Sequence, residues 1–547
     1  MSATRDAGYA LGFDLSTQSL SVIVLNSVCE VVLEYSLNFD RDLPNYQTKG
    51  GAHAGQNGRF TSPALMFVEA LEKVFEYLKE KIPLDQIRCI SGSAQQHGSI
   101  YWKQGAREIL HNLNPKSSLV QQLQSAFSRK DCPIWMDAST GKQCNYLENV
   151  LGGAENVAEM TGSRIYARYT AAQIRKIYEE EPQIYENTEH ISLISSGMAS
   201  LLLGDYAPED VADAAGTGLF QLQSDPPKWW ELAIQETAPQ LKHKLVSEPV
   251  YSYLPLGKIH AYFAERFGLD KEHCWILPWS GDNPNSAAGL LLQAERDLAV
   301  SLGTSDTAFA ITKQIKPRIE AHVYRSPMEP LEFIPLVCYS NGSLTREAIK
   351  DMDSAEPRTW ELFTDSLRQT PPGNNGILGF YYRVAEILPR ADPCNPTFFN
   401  MDMQLVQNVD YHTKVRAIVE GRCLAIKIHM DRFQVKYDRV WATGGASENE
   451  EILQILADVL QAPVHRVLYH NSASLGAAYR AWHGKDYADN RFTLQNFHDF
   501  IKSRQQLSSK TVPSNRKLVW YPNPQASQVY SKMFPIYEAL EKRFEAH

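Results

Sequence analysis

Short apolar runs alternate along the chain with stretches in which apolar residues recur at helical spacing. The runs at 9–14, 19–25 and 30–37 are rich in β-branched, aromatic and leucine residues and are separated by turn residues, so they predict three consecutive strands. The stretch that follows Ser62-Pro63 repeats leucine, valine and phenylalanine at helical spacing, which predicts a helix with Ser62 as its N-cap and Pro63 in its first turn. Strands and helices alternate in this way from there on, which is typical of an α/β fold.

One small motif occurs in both halves of the chain. Phe13-Asp14-Leu15-Ser16-Thr17 and Val300-Ser301-Leu302-Gly303-Thr304 each lead an apolar strand into a turn of small hydroxyl residues. Such a repeat at about half the chain length favours a duplicated domain. We therefore predict a first domain over residues 1–293 and a second over 294–547, with a C-terminal extension from about residue 485. In that extension, 503–517 predicts a surface loop and 528–544 a terminal helix.

Composition and charge narrow the class of protein. The chain has 547 residues, of which 44% are hydrophobic, so it is long enough for more than one core and too apolar to be disordered. Lys and Arg number 54 against 63 Asp and Glu, which argues against nucleic acid or an anionic membrane as the main partner. The eight cysteines are scattered, and the longest apolar stretch, near 192–203, is interrupted by Ser and Gly. These features predict a cytoplasmic protein with reduced thiols, no membrane span and no nucleic-acid partner.

Two turns carry groups that suit a phosphate ligand. Asp14 and the hydroxyl residues up to Ser19 follow the first strand, and Gly303-Thr304-Ser305 has the equivalent place in the second half. Turns of this kind present backbone N–H groups to phosphate oxygens, and an aspartate holds a metal ion directly or through water. Each turn alone is also compatible with a plain hairpin connection, the commoner use of such clusters.

Asp282 follows a predicted strand at 274–277 and is flanked by Gly281 and Asn283. A carboxylate at the end of a strand suits a general base that acts on a hydroxyl group. The same residue is compatible with a capping role for the helix that the sequence predicts next. From these residues alone, both roles stay open.

A glycine turn, Gly444-Gly445-Ala446, joins a strand predicted at 438–442 to an amphipathic helix. This arrangement suits a nucleotide, because missing side chains let the backbone approach the ligand. It has neither the lysine of a P-loop nor the dinucleotide fingerprint, so a simple tight connection is the alternative. His97 and Arg168 lie in polar segments, and each is also compatible with an exposed side chain.

Taken together, these segments resemble the FGGY family of carbohydrate kinases, relatives of actin and hexokinase, and within it the eukaryotic branch that acts on D-xylulose. The resemblance covers most of the chain. The blocks that carry it are Gly12-Phe13-Asp14-Leu15-Ser16-Thr17-Gln18, Gln95-Gln96-His97-Gly98-Ser99-Ile100-Tyr101-Trp102, Pro133-Ile134-Trp135-Met136-Asp137, Ser280-Gly281-Asp282-Asn283-Pro284, Val300-Ser301-Leu302-Gly303-Thr304-Ser305-Asp306, Arg416-Ala417-Ile418-Val419-Glu420-Gly421, and Ala442-Thr443-Gly444-Gly445-Ala446-Ser447 with Leu453-Gln454-Ile455-Leu456-Ala457-Asp458. Two residues depart from common family patterns: Ser16 stands where many members have glycine, and Ser139 where bacterial relatives often have arginine.

The resemblance implies two ribonuclease-H-like domains that flank a catalytic cleft, with the sugar held mainly by the first and ATP by the second. It implies that Asp282 is the catalytic base. The residues that match sugar-binding positions are His97, Arg168, Asp282 and Asn283. Those that match the adenine-nucleotide side are Trp360, Gly444, Gly445, Ala446 and Asn449. Those that match the phosphate turns are Asp14 and Thr17 in the first turn, where Asp14 also matches the Mg²⁺ site, and Gly303 and Thr304 in the second.

The reaction expected from the resemblance is phosphorylation of the 5-hydroxyl of D-xylulose by ATP, with Mg²⁺, in a monomer or homodimer. Three alternatives remain. One is a sister kinase acting on ribulose or glycerol, another is a non-catalytic sugar or nucleotide sensor, and the third is an actin-like or chaperone ATPase. Asp14, Asp282 and the two phosphate turns argue against a sensor. His97 and the Asp282-Asn283 pair argue against an ATPase that needs no sugar.

Overall fold

The computed structural model describes residues 8–320, 322–467, 471–490, 492–506 and 519–545. In chain order the strands are β1 (Tyr9–Leu15), β2 (Ser19–Asn26), β3 (Val31–Asn38), β4 (His53–Ala54), β5 (Phe60–Pro63), β6 (Ile87–Ala94), β7 (Ser99–Lys103), β8 (Asp131–Pro133), β9 (Thr188–Leu193), β10 (Gly257–Lys258), β11 (Trp275–Ile276), β12 (Ser280–Gly281), β13 (Asp297–Leu302), β14 (Asp306–Ala310), β15 (His322–Arg325), β16 (Phe333–Tyr339), β17 (Leu378–Tyr382), β18 (Cys394–Phe399), β19 (Arg439–Thr443), β20 (Val464–Arg466) and β21 (Val519–Trp520).

The α-helices are α1 (Phe39–Asp42), α2 (Ala64–Lys81), α3 (Ala106–His111), α4 (Leu119–Leu123), α5 (Gly141–Val150), α6 (Ala154–Thr161), α7 (Thr170–Glu180), α8 (Pro182–Glu186), α9 (Ile194–Leu203), α10 (Val211–Ala214), α11 (Glu231–Thr237), α12 (Leu241–Lys244), α13 (Ala261–Phe267), α14 (Asp282–Gly289), α15 (Ser343–Lys350), α16 (Trp360–Gln369), α17 (Tyr411–Arg432), α18 (Glu450–Leu460), α19 (Ser472–Asp489), α20 (Phe497–Gln506) and α21 (Pro524–Glu541). Short 3₁₀ turns lie at Pro44–Tyr46, Gln56–Gly58, Leu84–Gln86, Asn374–Gly376 and Gly445–Glu448. Within the described ranges, no helix combines the length and apolar character needed to cross a membrane.

Residue contacts divide the chain into two units. Unit 1 is made of Met1–Leu291, Val323–Glu332 and Asn471–Val512, as far as these are described. Unit 2 is made of Leu292–His322, Phe333–His470 and Pro513–His547, with the same limit. The assignment of sugar binding to residues 1–293 and of ATP binding to residues 294–547 stays a prediction. The contacts show in addition that α19 and α20, which follow residue 470, belong to unit 1.

Unit 1 contains a sheet in the order β10-β11-β6-β1-β2-β3, with β12 also paired to β6. The strands predicted at 9–14, 19–25 and 30–37 are confirmed as β1, β2 and β3, which form an antiparallel meander. β6 joins the other side of β1 in parallel. β1 and β2 are buried because their apolar residues pack against α2, as in the contact of Phe13 with Phe75, whose ring centres lie 5.7 Å apart.

Unit 2 contains a sheet with the order β16-β14-β13-β19-β20-β21. Here β13, β14 and β16 form the antiparallel meander, and β19 joins β13 in parallel. The two units therefore share one topology, and both predicted phosphate turns follow the first strand of the meander. The α/β class and the duplicated architecture that the sequence predicts are confirmed.

Some local predictions are corrected. Ser62 does not cap a helix: Ser62 and Pro63 are the last residues of β5, where they pair with β8, and α2 begins at Ala64. The terminal helix predicted at 528–544 begins earlier and ends earlier, as α21. The loop predicted at 503–517 is helical up to Gln506, and its remaining residues lie outside the described ones.

Helix α19 packs closely against β1 and α14 because glycines remove the side chains between them. A Cβ atom placed on Gly12 of β1 would lie 2.0 Å from the Ser474 carbonyl oxygen. On Gly476 of α19, it would lie 1.9 Å from the Asn285 carbonyl oxygen of α14. Both distances are far below van der Waals contact, so α19 holds this position only where glycine is present.

Candidate active site

The acidic residues of unit 1 lie at the carboxyl ends of neighbouring parallel strands. Asp14 of β1 and Ser280 of β12 are both paired with Ser93, on opposite sides of β6. Because adjacent strands lie about 4.8 Å apart, this register places Asp282, two residues after Ser280, at the same sheet edge as Asp14. The topology thus unites two aspartates from distant parts of the sequence.

Asp282 is the first residue of α14, and Gly281 precedes it with extended backbone angles. The Oδ1 atom of Asp282 accepts hydrogen bonds from the backbone N–H of Asn283 at 2.7 Å and from the Asn283 side-chain amide at 3.0 Å. Burial raises the pKa of Asp282 to about 7, and the nearby Asp14 carboxylate adds to this effect. The group is therefore divided between its protonated and ionised forms near neutral pH, which suits proton transfer.

Burial also raises the pKa of Asp14, to about 6, and the neighbouring Ser93 hydroxyl offsets part of this effect. Among the described residues, none makes a hydrogen bond to the buried Oδ1 atom of Asp14. The same holds for both polar atoms of the buried Gln95 amide, which follows β6. Buried polar atoms need partners, so this edge of the sheet fits a polar or cationic ligand.

A buried carboxylate oxygen that accepts no hydrogen bond from the described residues fits Mg²⁺. Proteins bind this ion through one or two carboxylates together with water and substrate phosphates. The described residues contain no group of three or more His, Cys, Asp or Glu side chains arranged around a common metal position. Asp14 is the residue here that fits as a direct or water-mediated ligand.

His97 is buried in the turn after β6, so the alternative of an exposed turn histidine is wrong. It has a φ of 70°, a left-handed conformation that is uncommon outside glycine. Its Nδ1 atom lies 2.8 Å from the Gly216 carbonyl oxygen, and its ring stacks on Tyr169. Since a carbonyl only accepts, Nδ1 carries the proton, and the other ring nitrogen, Nε2, is an acceptor.

Arg168 lies close enough to His97 for its charge to matter. Burial lowers the pKa of His97 to about 3, and the Arg168 guanidinium lowers it further. This guanidinium group is half-buried and lies 5.2 Å from the ring centre of Tyr166. The structure thus brings the Arg168 guanidinium close to the His97 ring, whose Nε2 atom is a hydrogen-bond acceptor.

Gln96 and Asp213 are residues that the sequence reasoning missed. The Asn283 amide donates to the Gln96 side-chain oxygen at 3.3 Å, and the Gln96 nitrogen lies 3.5 Å from Oδ1 of Asp213. Burial raises the pKa of Asp213 well above its ordinary value. Gln96 lies inside the block that begins at Gln95, whereas no local pattern marks Asp213, because its carboxylate bonds Gln96 and Ser195, which are not its neighbours in sequence.

Thr17, in the first predicted phosphate turn, accepts a hydrogen bond from the indole N–H of Trp135 at 2.8 Å. Trp135 is 38% exposed, which is unusual for so large an apolar ring. The bond uses a lone pair of the Thr17 oxygen and leaves its hydroxyl hydrogen to be donated elsewhere. Trp135, in the block Pro133-Ile134-Trp135-Met136-Asp137, therefore orients the first phosphate turn.

Unit 2 has a cavity of about 760 Å³ at the carboxyl end of its parallel strands. A volume of this size accommodates a small-molecule ligand or cofactor. Six residues that the sequence assigned to the nucleotide line it: Gly303, Thr304, Trp360, Gly445, Ala446 and Asn449.

The glycine turn in this cavity is shaped by backbone contact. Gly444 has a φ of 83°, and a Cβ atom on it would lie 2.6 Å from the Leu302 carbonyl oxygen. At Gly445, by contrast, no described residue other than Gly445 and its two chain neighbours has an atom within 4 Å of the Cβ position. Gly444 is thus required by packing against β13, whereas Gly445 leaves space for a ligand to approach the backbone.

Arg346 of α15 braces the second phosphate turn. Its guanidinium contacts both carboxylate oxygens of the buried Asp306, at 2.9 to 3.1 Å, and donates to the Gly303 carbonyl oxygen at 2.9 Å. Because the guanidinium fork is planar and rigid, these bonds fix the turn between β13 and β14.

Two side chains complete the cavity wall. Trp360 is the first residue of α16 and is 47% exposed, so its ring is available to an aromatic ligand. Asn449 caps α18: its side-chain oxygen accepts from the N–H groups of Glu451 and Ile452, and its nitrogen donates to Thr364 at 2.8 Å. The ring face, the open glycine and the helix N-terminus fit an adenine nucleotide.

Comparisons with known proteins place the chain in a family. The family models described as the N-terminal and C-terminal domains of the FGGY family of carbohydrate kinases match residues 129–289 and 298–484. The chain is 42% identical to the xylulose kinase of Rattus norvegicus, over 97% of this chain and 96% of that protein. It is 44% identical to xylulose kinase 2 of Arabidopsis thaliana, over 87% of each.

Solved structures give the same fold at low identity. The xylulose kinase of Rhodospirillum rubrum superposes with a TM-score of 0.78 over 98% of both chains, at 17% identity. Two family models in their expected order, together with relatives matched over nearly the whole length, show that this chain belongs to the FGGY family of carbohydrate kinases.

Proposed function

We propose that this protein transfers the γ-phosphoryl group of ATP to the 5-hydroxyl of D-xylulose. The family supplies the reaction class, which is phosphoryl transfer to a carbohydrate. The observation that carries the choice of sugar is the 42% identity, over 97% of the chain, to a protein named xylulose kinase.

Asp282 is the proposed general base. Its Oδ1 atom is held by two hydrogen bonds from Asn283, so we assign Oδ2 to receive the proton of the sugar hydroxyl. Proton removal by a positioned carboxylate makes the hydroxyl oxygen a better nucleophile as it approaches the phosphorus atom in line. A pKa of about 7 balances availability of the ionised form against its basicity.

His97, Arg168 and Asn283 are the proposed sugar-binding residues. The neutral His97 ring offers its Nε2 lone pair to a hydroxyl hydrogen, because Nδ1 is bonded to the Gly216 carbonyl. Arg168 donates hydrogen bonds to sugar oxygens. Asn283 holds the Asp282 carboxylate through two hydrogen bonds and also binds the sugar. This mixture of acceptors and donors suits a polyhydroxy ligand.

The nucleotide is assigned to the cavity of unit 2. Trp360 supplies a stacking face for adenine, and the backbone N–H groups at Gly303, Thr304, Gly445 and Ala446 suit phosphate oxygens. Asp14 and Thr17 are assigned to the reacting phosphate. Asp14 would hold Mg²⁺ directly or through water, and the bound ion would neutralise charge on the phosphates.

A coupled assay of ADP release tests the proposal. The protein is incubated with ATP, Mg²⁺ and one of D-xylulose, D-ribulose or glycerol, and with no acceptor as a control. We expect the highest kcat/KM with D-xylulose and little ADP without a sugar. A preference for D-ribulose or glycerol would replace the substrate. ADP release that needs no sugar would indicate an ATPase, and sugar binding without ADP release would indicate a sensor.

A further inference from the structure

A buried ion pair lies behind the segment that carries Asp282. Arg480 of α19 is 1% exposed, and Asp210, which precedes α10, is 0% exposed. Their closest approach is 3.5 Å, from the Arg480 Nη2 atom to Oδ2 of Asp210. A buried ion pair is costly to desolvate, so its presence is weak evidence for overall stability, and its bonds to the surrounding chain show what it holds in place.

Arg480 binds the chain on both sides of Asp282. Its Nη2 atom donates to the Pro278 carbonyl oxygen at 3.1 Å, in the segment that leads into β12. Its Nη1 atom donates to the Asn285 side-chain oxygen at 2.7 Å, in the first turn of α14. One planar guanidinium group therefore spans the residues before and after Asp282.

Asp210 bonds a third residue of this segment, Ser280, which lies between Pro278 and Asn285. Its Oδ1 atom accepts a hydrogen bond from the Ser280 hydroxyl at 2.6 Å and also caps α10 through the N–H groups of Ala212 and Asp213. Its Oδ2 atom accepts from the Ser252 hydroxyl and faces Arg480. Ser280 lies two residues before Asp282, so the ion pair contacts the chain at three points around the proposed base.

Only arginine suits this position. The fork of its guanidinium group reaches acceptors in separate directions at once, whereas a lysine ammonium is a single point charge. The close approach of α19 to α14, which Gly476 permits, brings the fork within hydrogen-bond distance. The residue and the packing of its helix are thus adapted to each other.

We propose that Arg480 is a positioning residue for phosphoryl transfer: together with Asp210, it fixes the turn that aims the Asp282 carboxylate at the sugar hydroxyl. This inference rests on the proposed function of Asp282. Arg480 is not assigned to the substrate or the reacting atoms and acts only through the backbone and side chains that flank the base.

The test uses Arg480→Met, which keeps an unbranched side chain as far as about the Nε position and removes the charge and the fork. The control is Arg325→Met, because Arg325 is also 1% exposed in unit 1 and donates to backbone carbonyls, of Leu222 and Ser224, far from Asp282 in sequence. We expect Arg480→Met to lower kcat about 10- to 100-fold, the range for a small displacement of a catalytic group, with KM for ATP nearly unchanged. The control should keep its kcat. A kcat of Arg480→Met within about threefold of the wild type would overturn the proposal.

A double mutant separates positioning from general damage. In an Asp282→Asn background, Arg480→Met should cost less than about threefold more, because its effect passes through the missing base. Equal losses in both backgrounds would contradict the proposal. A normal kcat in Asp282→Asn alone would overturn the base assignment and this inference with it, whereas a low kcat there beside a normal one in Arg480→Met would overturn only the positioning role.

Ser280→Ala provides the decision if Arg480→Met does not fold. This variant removes one hydroxyl group and one bond to Asp210, so it disturbs the core little. We expect a fall in kcat of about three- to tenfold with an unchanged melting temperature. An unchanged kcat would overturn the proposal.

Discussion

Burial raises the pKa of individual acidic residues in unit 1. The pKa values of Asp14, Glu209 and Asp282 are all raised, and in each the largest cause is removal from water. The sequence singled out Asp14 and Asp282, because each lies at the end of a predicted strand, Asp14 before a turn and Asp282 before a helix. It did not single out Glu209, whose burial is decided by residues far away in the chain.

Replacement of Asp282 by asparagine tests its role with little change in shape. We expect Asp282→Asn to lower kcat by roughly 10²–10⁴, the range for loss of a general base, with little change in ATP binding. Steady-state kinetics with D-xylulose and a direct ATP-binding measurement check this. Asp438→Asn, at a carboxylate whose side chain is 77% exposed, is the control and should behave as the wild type. Near-normal turnover in Asp282→Asn would remove Asp282 from this role.

We expect the free energy of unfolding to depend on pH through the buried Glu209. Burial raises its pKa from 4.5 to about 7, so between these values the folded state holds a proton that the unfolded state releases. Its contribution to the free energy of unfolding is therefore present below pH 4.5 and lost as the pH rises through 7. The loss is on the order of 3 kcal/mol, since one pKa unit corresponds to about 1.4 kcal/mol.

Urea unfolding at pH 5 and pH 8 measures this contribution. Glu209→Gln should remove that part of the fall in stability between the two pH values. Glu80→Gln, at an exposed position on α2, should leave it unchanged. If Glu209→Gln shows the same pH dependence as the wild type, Glu209 is not its source.

At the scale of elements, packing around α19 depends on the absence of side chains. Gly476→Ala would place a Cβ atom 1.9 Å from the Asn285 carbonyl oxygen, so α19 would have to move away from α14. We expect a loss of about 1–3 kcal/mol in the free energy of unfolding, as for other overpacked cores. Denaturant unfolding measures it.

Gly141→Ala is the matched control for this change. Gly141 begins α5, and apart from its chain neighbours and the backbone of its own helix, no described residue has an atom within 4 Å of its Cβ position. Alanine favours the helix over glycine by about 1 kcal/mol, so this variant should be as stable as the wild type or more so. Equal stability in Gly476→Ala and Gly141→Ala would mean that α19 does not need the close approach.

The start of α16 allows a test of the nucleotide cavity. Trp360→Ala should raise KM for ATP about tenfold, because stacking on an aromatic ring is worth about 1–3 kcal/mol per base. KM for D-xylulose should change little. Leu362→Ala is the control, because Leu362 is an exposed apolar residue of the same helix that does not line the cavity. Equal KM values for ATP in the two variants would exclude Trp360 from the adenine site.

At the scale of the whole molecule, unit 1 is discontinuous in sequence. Helix α19 packs against β1 and α14, although nearly two hundred residues separate it from α14, as the numbering of Gly289 and Ser472 shows. Unit 1 therefore includes α19 and α20, which lie far beyond residue 293 in the sequence. No local pattern could reveal this, since the contacts that hold α19 are made only after folding.

A truncation tests the dependence of unit 1 on α19. Residues 1–291 alone should lack a cooperative thermal transition, because the faces of β1 and α14 that pack on α19 would be exposed to water. Fusion of 1–291 to 471–506 through a short glycine linker should improve cooperativity. The linker can be short because Gly289, near the end of α14, contacts Ser472 at the start of α19. A cooperative transition of 1–291 alone, equal to that of the fusion, would contradict this account.

Local pattern was enough to predict much of the architecture. The three-strand meander, the two equivalent turns and the glycine turn before α18 follow from residue types at short spacing, which act on the backbone directly. The prediction failed where a long-range partner competed with a local preference: Ser62 and Pro63 are good helix starters, yet pairing with β8 draws them into β5.

The amino-acid sequence by itself determined the α/β class, the family and the residue types available for catalysis, because strand and helix periods, turn chemistry and motif order are properties of neighbouring positions. Tertiary structure alone decided that Asp14 and Asp282 share one sheet edge, that His97 is buried with Nδ1 against the Gly216 carbonyl oxygen, and that Arg480 bonds the chain on both sides of the proposed base. These depend on which distant segments meet and on how much water they exclude, and neither is written in any short stretch of the chain.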